Sequence, residues 1–387
     1  MGYTRIVKCF YISLVFVFSA LMLIASPVSA AVSIVKYPVL GGSIGSSLVT
    51  GSDGRLWFDE YYSNKIAAIT TSGNITEYLL PNPNTGPLGL ASGPDGNIWF
   101  GEWNYNKIGK ISTNGVVTEY SLPQANSRAT SLTSGPDGNI WYVDGSTNSV
   151  GEITSSGVVT EYPIPDITGS GSSPGTITSG PDGNLWFTQL SGNKIRSVTA
   201  NGVFVKTFQV STGIQYRIWQ IVTGPDGNLW YGMRGDGGGI RKINTDGATT
   251  IYGQNAFDTR YVANGPDGNI WFSAAYNSLG KITPAGDLTL YDLEANSFPG
   301  AITTGSDGNI WFMANGFIGK IPPNPQTIVA ATDSTVKRKV SMLPMTTDAV
   351  YSPPVSEKSN SSYYFIAIGL LVTIAAGLLI KNKYKTN

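Results

Sequence analysis

The hydrophobic and polar positions of this chain repeat with a period of 40–45 residues. In the unit at 84–123, four apolar runs of strand length (PLGLAS, NIWFGE, KIGKIS and VVTEYSLP) are separated by turn residues such as GPDG and TNG. Asp-Gly and Asn-Gly are strong hairpin signals. A repeat of this length with four short strands is typical of propeller blades. The octapeptide GPDGNIWF or a close variant begins at Gly51, Gly93, Gly135, Gly180, Gly224, Gly265 and Gly305, which predicts an all-β, seven-bladed β-propeller.

The two ends of the repeat region predict how the ring closes. The seventh unit stops after FIGKIPPNP at 317–325, before a fourth strand. The segment SIVKYPV at 33–39 has the pattern of a fourth strand and precedes the first unit. We therefore expect the N-terminal strand to complete the last blade, which leaves no open edge between the first and last blades.

Seven of the nine tryptophans stand six residues after a repeat glycine: Trp57, Trp99, Trp141, Trp186, Trp230, Trp271 and Trp311. A ligand site that needs one indole would not require one in every blade, so these residues are predicted to pack between blades. The repeated turn aspartate is also interpreted as structural. One carboxylate per turn supplies too few oxygens for a calcium ion, which takes about six to eight.

The segments outside the repeats predict an anchored, extracytoplasmic protein. Residues 1–30 have the basic start, apolar run and small-residue end of a secretory signal peptide, with an uncleaved anchor as the alternative. After the propeller at 31–322, a Pro/Ser/Thr-rich stretch at 323–362 is predicted to be a flexible stalk. The uncharged segment 363–380 is long enough for a transmembrane helix, and the basic tail 381–387 is expected in the cytoplasm.

Composition narrows the possible chemistry. The chain has 25 basic and 25 acidic residues, which argues against a nucleic-acid partner. It contains no histidine, which removes the usual general base near neutral pH and the commonest metal ligand. The single cysteine, Cys9, excludes an intramolecular disulfide. We expect a monomer.

The blade text GPDGNLWF…NKI…IT…G…TEY.LP resembles the streptogramin lyase family over about 31–325. The resemblance implies an enzyme that opens a cyclic depsipeptide by elimination, with a magnesium ion. It also implies two catalytic histidines at the start of the first strands of blades six and seven, with carboxylates nearby. The histidine positions hold Arg260 and Gly300 in this sequence, and the carboxylate positions hold Phe298 and Asn315. The sequence therefore departs from the family pattern at each of these positions.

The candidate ligand site lies where the repeat stops repeating. In a propeller, the loops that enter first strands and the loops that leave second strands share one face. Both tryptophans outside the repeat register map to that face. The candidate ligand-binding residues there are Trp103, Trp219, Tyr216, Arg217, Arg234, Arg260, Tyr261 and Phe298.

Acidic residues follow the second strands of the first three blades. Glu60, Glu102 and Asp144 occupy equivalent positions, and the arginines and aromatics gather in blades five to seven. This distribution predicts a face that is acidic on one side and cationic on the other. Three carboxylates from adjacent blades could hold a divalent cation. The alternative is that they are solvated turn residues.

Three functions are consistent with these patterns. The first is a membrane-anchored propeller that binds an extracellular glycan or peptide, without lyase chemistry and without a cofactor. The second is a carbon-oxygen lyase for a streptogramin B-type depsipeptide, with magnesium and with its base relocated to Glu60, Glu102 or Asp144. The third is a docking scaffold for another protein of the cell envelope.

Overall fold

The computed structural model describes residues 34–39, 45–165, 173–190, 192–211, 217–235, 238–254, 256–274 and 277–325, with the backbone of 340–341 and 345–346. The chain divides into two compact units, Met1–Thr346 and Thr347–Asn387. The predicted signal peptide, transmembrane helix and basic tail lie outside the described residues, as does most of the predicted stalk. Among the residues that are described, no helix is long and apolar enough to cross a membrane.

Seven antiparallel sheets form the described part of the first unit, which confirms the all-β, seven-bladed propeller. The first strand in the chain is β1 (Val35–Pro38). Blade one contains β2 (Leu48–Thr50), β3 (Leu56–Glu60), β4 (Lys65–Ile69) and β5 (Ile75–Leu79). Blade two contains β6 (Pro87–Ser92), β7 (Ile98–Glu102), β8 (Lys107–Ile111) and β9 (Val117–Ser121). Blade three contains β10 (Ala129–Ser134), β11 (Ile140–Asp144), β12 (Ser149–Ile153) and β13 (Val159–Pro163).

The remaining blades follow the same order. Blade four contains β14 (Pro174–Ser179), β15 (Leu185–Gln189), β16 (Lys194–Val198) and β17 (Phe204–Gln209). Blade five contains β18 (Arg217–Thr223), β19 (Leu229–Arg234), β20 (Gly239–Ile243) and β21 (Thr249–Tyr252). Blade six contains β22 (Thr259–Asn264), β23 (Ile270–Ala274), β24 (Ser278–Ile282) and β25 (Asp287–Asp292). Blade seven contains β26 (Ile302–Thr304), β27 (Ile310–Ala314) and β28 (Phe317–Ile321). A 3-10 turn at Tyr61–Ser63 joins β3 to β4.

The ring closes as the sequence predicts. Strand β1 pairs antiparallel with β28, in a register that sets Val35 opposite Lys320 and Pro38 opposite Phe317. The N-terminal strand is therefore the fourth strand of blade seven, so the sheet of the last blade contains the strand that precedes blade one in the chain.

The seven repeat tryptophans are fully buried between blades. Each indole stacks on an aromatic ring of a fourth strand, with centroids 5.4–6.1 Å apart and planes 10–17° apart. Each indole Nε1 also donates a hydrogen bond to the turn aspartate of its own octapeptide, at 2.8–3.2 Å. The octapeptide thus builds the turn and fills the space between blades.

The first glycine of the octapeptide is required by close packing. In blade two, a Cβ added at Gly93 would lie 2.5 Å from an Asp95 oxygen and 2.6 Å from the Trp99 ring. Both distances are far below a van der Waals contact, so a larger residue would displace the turn or the indole.

Two short strands come from the segment predicted to be a stalk. Strand β29 (Val340–Ser341) pairs with β25 of blade six, and β30 (Met345–Thr346) pairs with β21 of blade five. The outermost strand of a blade has an open hydrogen-bonding edge, which is available to such additions.

Candidate functional site

The first strands of the blades surround a cavity of about 470 Å³ at the mouth of the central channel, here called the central cavity. All seven blades contribute to its lining. The position five residues before the repeat glycine supplies its wall in blades one to six: Ser46, Leu88, Thr130, Gly175, Trp219 and Arg260. This series is the one to which the family resemblance assigns the catalytic histidines.

The next position along each first strand links neighbouring blades. In four blades, a polar side chain accepts a hydrogen bond from a backbone N–H of the following blade. The acceptor and donor pairs are Ser47 Oγ with Gly89 (2.8 Å), Ser131 Oγ with Ile177 (3.3 Å), Thr176 Oγ1 with Ile221 (3.2 Å) and Gln220 Oε1 with Val262 (3.0 Å). These four side chains hold the wall of the central cavity together.

Both tryptophans outside the repeat register line the central cavity, as expected for residues on one face. Each is only half-buried, and each has a guanidinium over its ring. Arg128 lies 4.8 Å from the ring centroid of Trp103, and Arg260 lies 5.5 Å from that of Trp219. The Trp219 Nε1 is buried and has no hydrogen-bond acceptor among the described residues. These two indoles therefore differ from the seven repeat indoles in exposure, although a guanidinium also lies over the buried Trp57 ring at 4.7 Å.

A second cavity of about 330 Å³, the side cavity, lies beside the first. Arg260 and Tyr261 line both cavities. The side cavity, but not the central cavity, is also lined by Arg234, Asp258 and Phe298. The Arg234 Nε is 3.5 Å from an Asp258 oxygen. Burial raises the pKa of Tyr261, the nearby Asp59 charge adds to this, and Arg260 opposes it.

Two of the predicted ligand-binding residues lie outside both cavity linings. Arg217 is exposed at the start of β18, directly opposite Arg234 in the strand register. Tyr216 lies outside the described residues. The other six predicted residues line the central cavity, the side cavity or both.

The positions that the family resemblance assigns to catalysis also come together. Phe298, Gly300 and Asn315 line a third cavity of about 400 Å³, and Phe298 and Gly300 line the side cavity with Arg260. Phe298 has a left-handed backbone with φ of 44° and remains 49% exposed. None of these four side chains is a base near neutral pH, since an arginine stays protonated.

The carboxylates of blades one to three do not form the predicted acidic side of this face. Glu60, Glu102 and Asp144 are the last residues of β3, β7 and β11, and none exceeds 1% exposure. None lines the central cavity. Nowhere in the described ranges do three or more His, Cys, Asp or Glu side chains form a group that could hold a metal ion.

The physical reason is that the second strands extend through these acids. Glu60 and Glu102 pair with Lys65 and Lys107 of the third strands. Alternation along a strand then turns Glu102 to the same side as Phe100, which packs against blade one. The acids are therefore neither solvated turn residues nor part of the cavity wall.

The buried acids differ in how their charge is accommodated. Asp144 accepts hydrogen bonds from the backbone N–H groups of Arg128, Ser146 and Thr147. Both carboxyl oxygens of Glu60 and of Glu102 have no hydrogen-bond partner among the described residues. Burial raises the pKa of each glutamate to about 7, and a neighbouring glutamate adds to the rise while a lysine opposes it.

Sequence reasoning missed Asp59, an acid directly behind the wall of the central cavity. It is fully buried and accepts hydrogen bonds from the backbone N–H groups of Ser46 and Ser47, both of which line that cavity. Burial raises the pKa of Asp59 to about 7, against the lowering effect of these hydrogen bonds. The available signal was its uniqueness, since no other blade has an acid two residues after the repeat tryptophan.

The fold has counterparts in known proteins. The sequence profile of the Virginiamycin B lyase family matches residues 26–253 and 166–333, which together span more than half of the chain. This chain belongs to that family. No curated protein sequence matches it.

Solved structures of Virginiamycin B lyase family proteins have the same fold. A streptogramin B lyase structure is 32% identical, with a TM-score of 0.68, and the match covers 74% of this chain and 96% of that one. The virginiamycin B lyase of Staphylococcus aureus is 30% identical, with a TM-score of 0.68 and coverage of 74% and 98%. A catalytically inactive variant of the same enzyme with quinupristin gives the same values.

Proposed function

We propose that this member of the family is a membrane-anchored, extracytoplasmic binding module that takes a glycan or a peptide at the channel mouth. The observation that carries the proposal is the central cavity, which is lined by the aromatic rings of Trp103, Trp219 and Tyr261. Its volume of about 470 Å³ falls within the ordinary range for small-ligand sites. Aromatic walls with a few polar groups are typical of such sites.

The chemistry of the same site favours binding over elimination. Elimination requires a base that removes a proton and a group that stabilises the resulting charge. The family's two histidine positions hold Arg260 and Gly300, and the chain contains no histidine. The described residues that line the central cavity include no carboxylate. Glu60, Glu102 and Asp144, the candidate relocated bases, are buried and do not line this cavity.

The sequence outside the propeller supports the cellular location. The signal peptide pattern at 1–30 and the apolar segment at 363–380 favour a propeller on the outside of the membrane with its C-terminus in the cytoplasm. The ligand would then be an extracellular glycan, a peptide or an exposed part of an envelope protein. We expect the protein to act as a monomer, without a resident metal ion.

The test is a binding screen of the full chain in detergent against glycan and peptide arrays. The double variant Trp103→Ala plus Trp219→Ala should lose at least about tenfold in affinity for any ligand found, because both indoles line the cavity. Tyr62→Ala is the matched control, since Tyr62 is an aromatic residue that is 84% exposed on the turn after β3. This variant should bind like the unaltered protein.

Two results would count against the proposal. Linearisation of quinupristin by the purified chain with magnesium would establish a lyase instead. Equal binding by the double tryptophan variant and by Tyr62→Ala would move the ligand site away from the central cavity.

A further inference from the structure

We propose that the side cavity is an anion subsite, and that the ligand is an acidic glycan. In this arrangement, sugar rings occupy the central cavity and a carboxylate of the glycan is held by Arg260, with Arg234 beside it. The inference rests on the proposed binding function and names the class of ligand.

The local charge at these cavities is positive. Arg260 is the one charged residue among the described residues that line the central cavity, and it also lines the side cavity. In the side cavity, Asp258 lies at ion-pair distance from Arg234, not from Arg260. Arg217 adds a further guanidinium opposite Arg234. The whole chain balances 25 basic against 25 acidic residues, so this cationic excess is local to the ends of β18, β19 and β22.

The Arg260 guanidinium is positioned by the Trp219 ring. Its guanidinium lies over the Trp219 ring at 5.5 Å, and its side chain is exposed. The attraction between the cation and the ring holds the guanidinium near Trp219 while its N–H donors remain available. A planar fork of donors matches a carboxylate in a bidentate pair, which is stronger and more directional than a contact with a lysine.

The lining of the central cavity favours a glycan over a peptide. Hydroxyl side chains surround the central cavity, including those of Ser46, Thr130 and Ser173. A sugar ring offers hydroxyl groups at its rim for these partners and apolar C–H faces for the indoles of Trp103 and Trp219. An acidic peptide would satisfy Arg260 equally well, and its backbone amides could also bond to these hydroxyls. An acidic peptide without aromatic or other ring side chains, however, offers no apolar ring face to the two indoles. The lining therefore favours a sugar.

The experiment uses isothermal titration calorimetry on the full chain in detergent. The probes are tetragalacturonate, its fully methyl-esterified form and a tetraglutamate peptide. We expect tetragalacturonate to bind at least about tenfold more tightly than its ester, a difference of about 1.4 kcal/mol. Arg260→Gln should bind both forms with equal, weak affinity. Esterification removes the carboxylate of the ligand and the substitution removes the guanidinium, so each change alone abolishes the same interaction. Arg260→Lys should recover part of the affinity, since it keeps the charge without the fork.

Lys194→Gln is the matched control for overall charge. Lys194 begins β16, on the same face, and lines neither cavity. This variant should stay within about twofold of the unaltered protein, because the partly exposed Lys194 charge lies outside both cavity linings, where salt weakens its effect on a ligand. An equal loss in Arg260→Gln and Lys194→Gln would reduce the effect to general electrostatic attraction and overturn the subsite.

The outcomes separate this inference from the proposed function. Equal binding of tetragalacturonate and its ester, with dependence on Trp103 and Trp219, would overturn the anion subsite and retain the binding module. Preference for tetraglutamate would replace the glycan by an acidic peptide and overturn the inference. Thermal unfolding of Arg260→Gln should match that of the unaltered protein, since the side chain is exposed. Unfolding would therefore not explain a loss of binding.

Discussion

The interior of the blades and the mouth of the channel use tryptophan in different ways. In the blades, seven indoles are fully buried, each stacked on another aromatic ring and bonded through Nε1 to a turn aspartate. At the mouth, Trp103 and Trp219 are only half-buried and line the central cavity. The Trp219 Nε1 has no acceptor within the described part of the chain.

The difference shows how to separate structure from function in a repeat protein. A residue that occurs in every blade meets a requirement common to every blade, which here is filling the space between sheets. A residue that occurs once, outside the register, is not required by that packing. Trp99 and Trp103 make the contrast directly, since they are four residues apart in blade two.

The largest predicted effect tests this contrast in a single blade. Trp99→Ala should lower the free energy of unfolding by about 3–5 kcal/mol, because it leaves a cavity between blades two and three. Trp103→Ala should cost less than about 1 kcal/mol, because its side chain is already partly exposed. Equilibrium unfolding in guanidinium chloride measures both. Equal losses would contradict the division into packing and site indoles.

A smaller effect is expected from the turn that holds the blade indole. The Asp95 carboxylate accepts hydrogen bonds from Trp99 Nε1 (3.0 Å), Asn97 N (3.2 Å) and Asn97 Nδ2 (2.8 Å). Asp95→Ala leaves the buried indole donor without a partner, which should cost about 1–3 kcal/mol. The same unfolding measurement applies, and a loss as large as that of Trp99→Ala would mean that the turn, not the ring, stabilises the blade.

The pH dependence of this loss has a definite sign. Burial alone would raise the pKa of Asp95, but hydrogen bonds from Asn97 and Trp99 and the charge of Lys110 hold it below the usual 3.8. A lowered pKa in the folded state contributes stability that is present above pH 3.8 and is lost as the pH falls. The difference between Asp95→Ala and the unaltered protein should therefore shrink in acid, and a constant difference would contradict this origin.

The fold could be predicted from the sequence because its determinants are local and repeated. The first hairpin of every blade is encoded by an Asp-Gly turn, and each interface by an indole at a fixed distance from a glycine. Ring closure could also be predicted, since β1 has the pattern of the strand that the seventh unit lacks. The cavities could not, because they depend on where first strands from seven blades converge.

The predicted acidic side of the channel mouth was wrong because the local sequence does not determine where the second strand of a blade ends. Whether Glu102 belongs to a strand or to a loop depends on one further pair in the sheet ladder, opposite Lys107. A strand that continues through this residue turns its side chain toward the neighbouring blade, whereas a strand that ends earlier would leave it at the mouth. The sequence letters are the same in both cases.

A pH-dependent effect tests whether Glu102 lies in the blade interior or at the channel mouth. Burial raises its pKa to about 7 from the usual 4.5, with a further rise from Glu119 and an opposing effect of Lys107. A raised pKa in the folded state means that the stability is fully present below pH 4.5 and is lost as the pH rises toward 7. Glu102→Gln cannot titrate, so its free energy of unfolding should fall less over this window, by at most about 1.4 kcal/mol per pH unit.

The chain offers its own control for this substitution. Gln189 occupies the equivalent position in blade four, where it is 3% exposed, so the site in a blade accepts a neutral amide. Chemical unfolding at several values between pH 4.5 and pH 7.5 gives the fall in free energy of unfolding as the pH rises. This fall should be smaller in Glu102→Gln than in the unaltered protein, and smaller again by a similar amount when Glu60→Gln is added. If the unaltered protein and both variants have parallel pH profiles, the glutamates are in contact with solvent and belong to the channel mouth. That result would place Glu60 and Glu102 on an acidic side of the channel mouth and contradict their assignment to the blade interior.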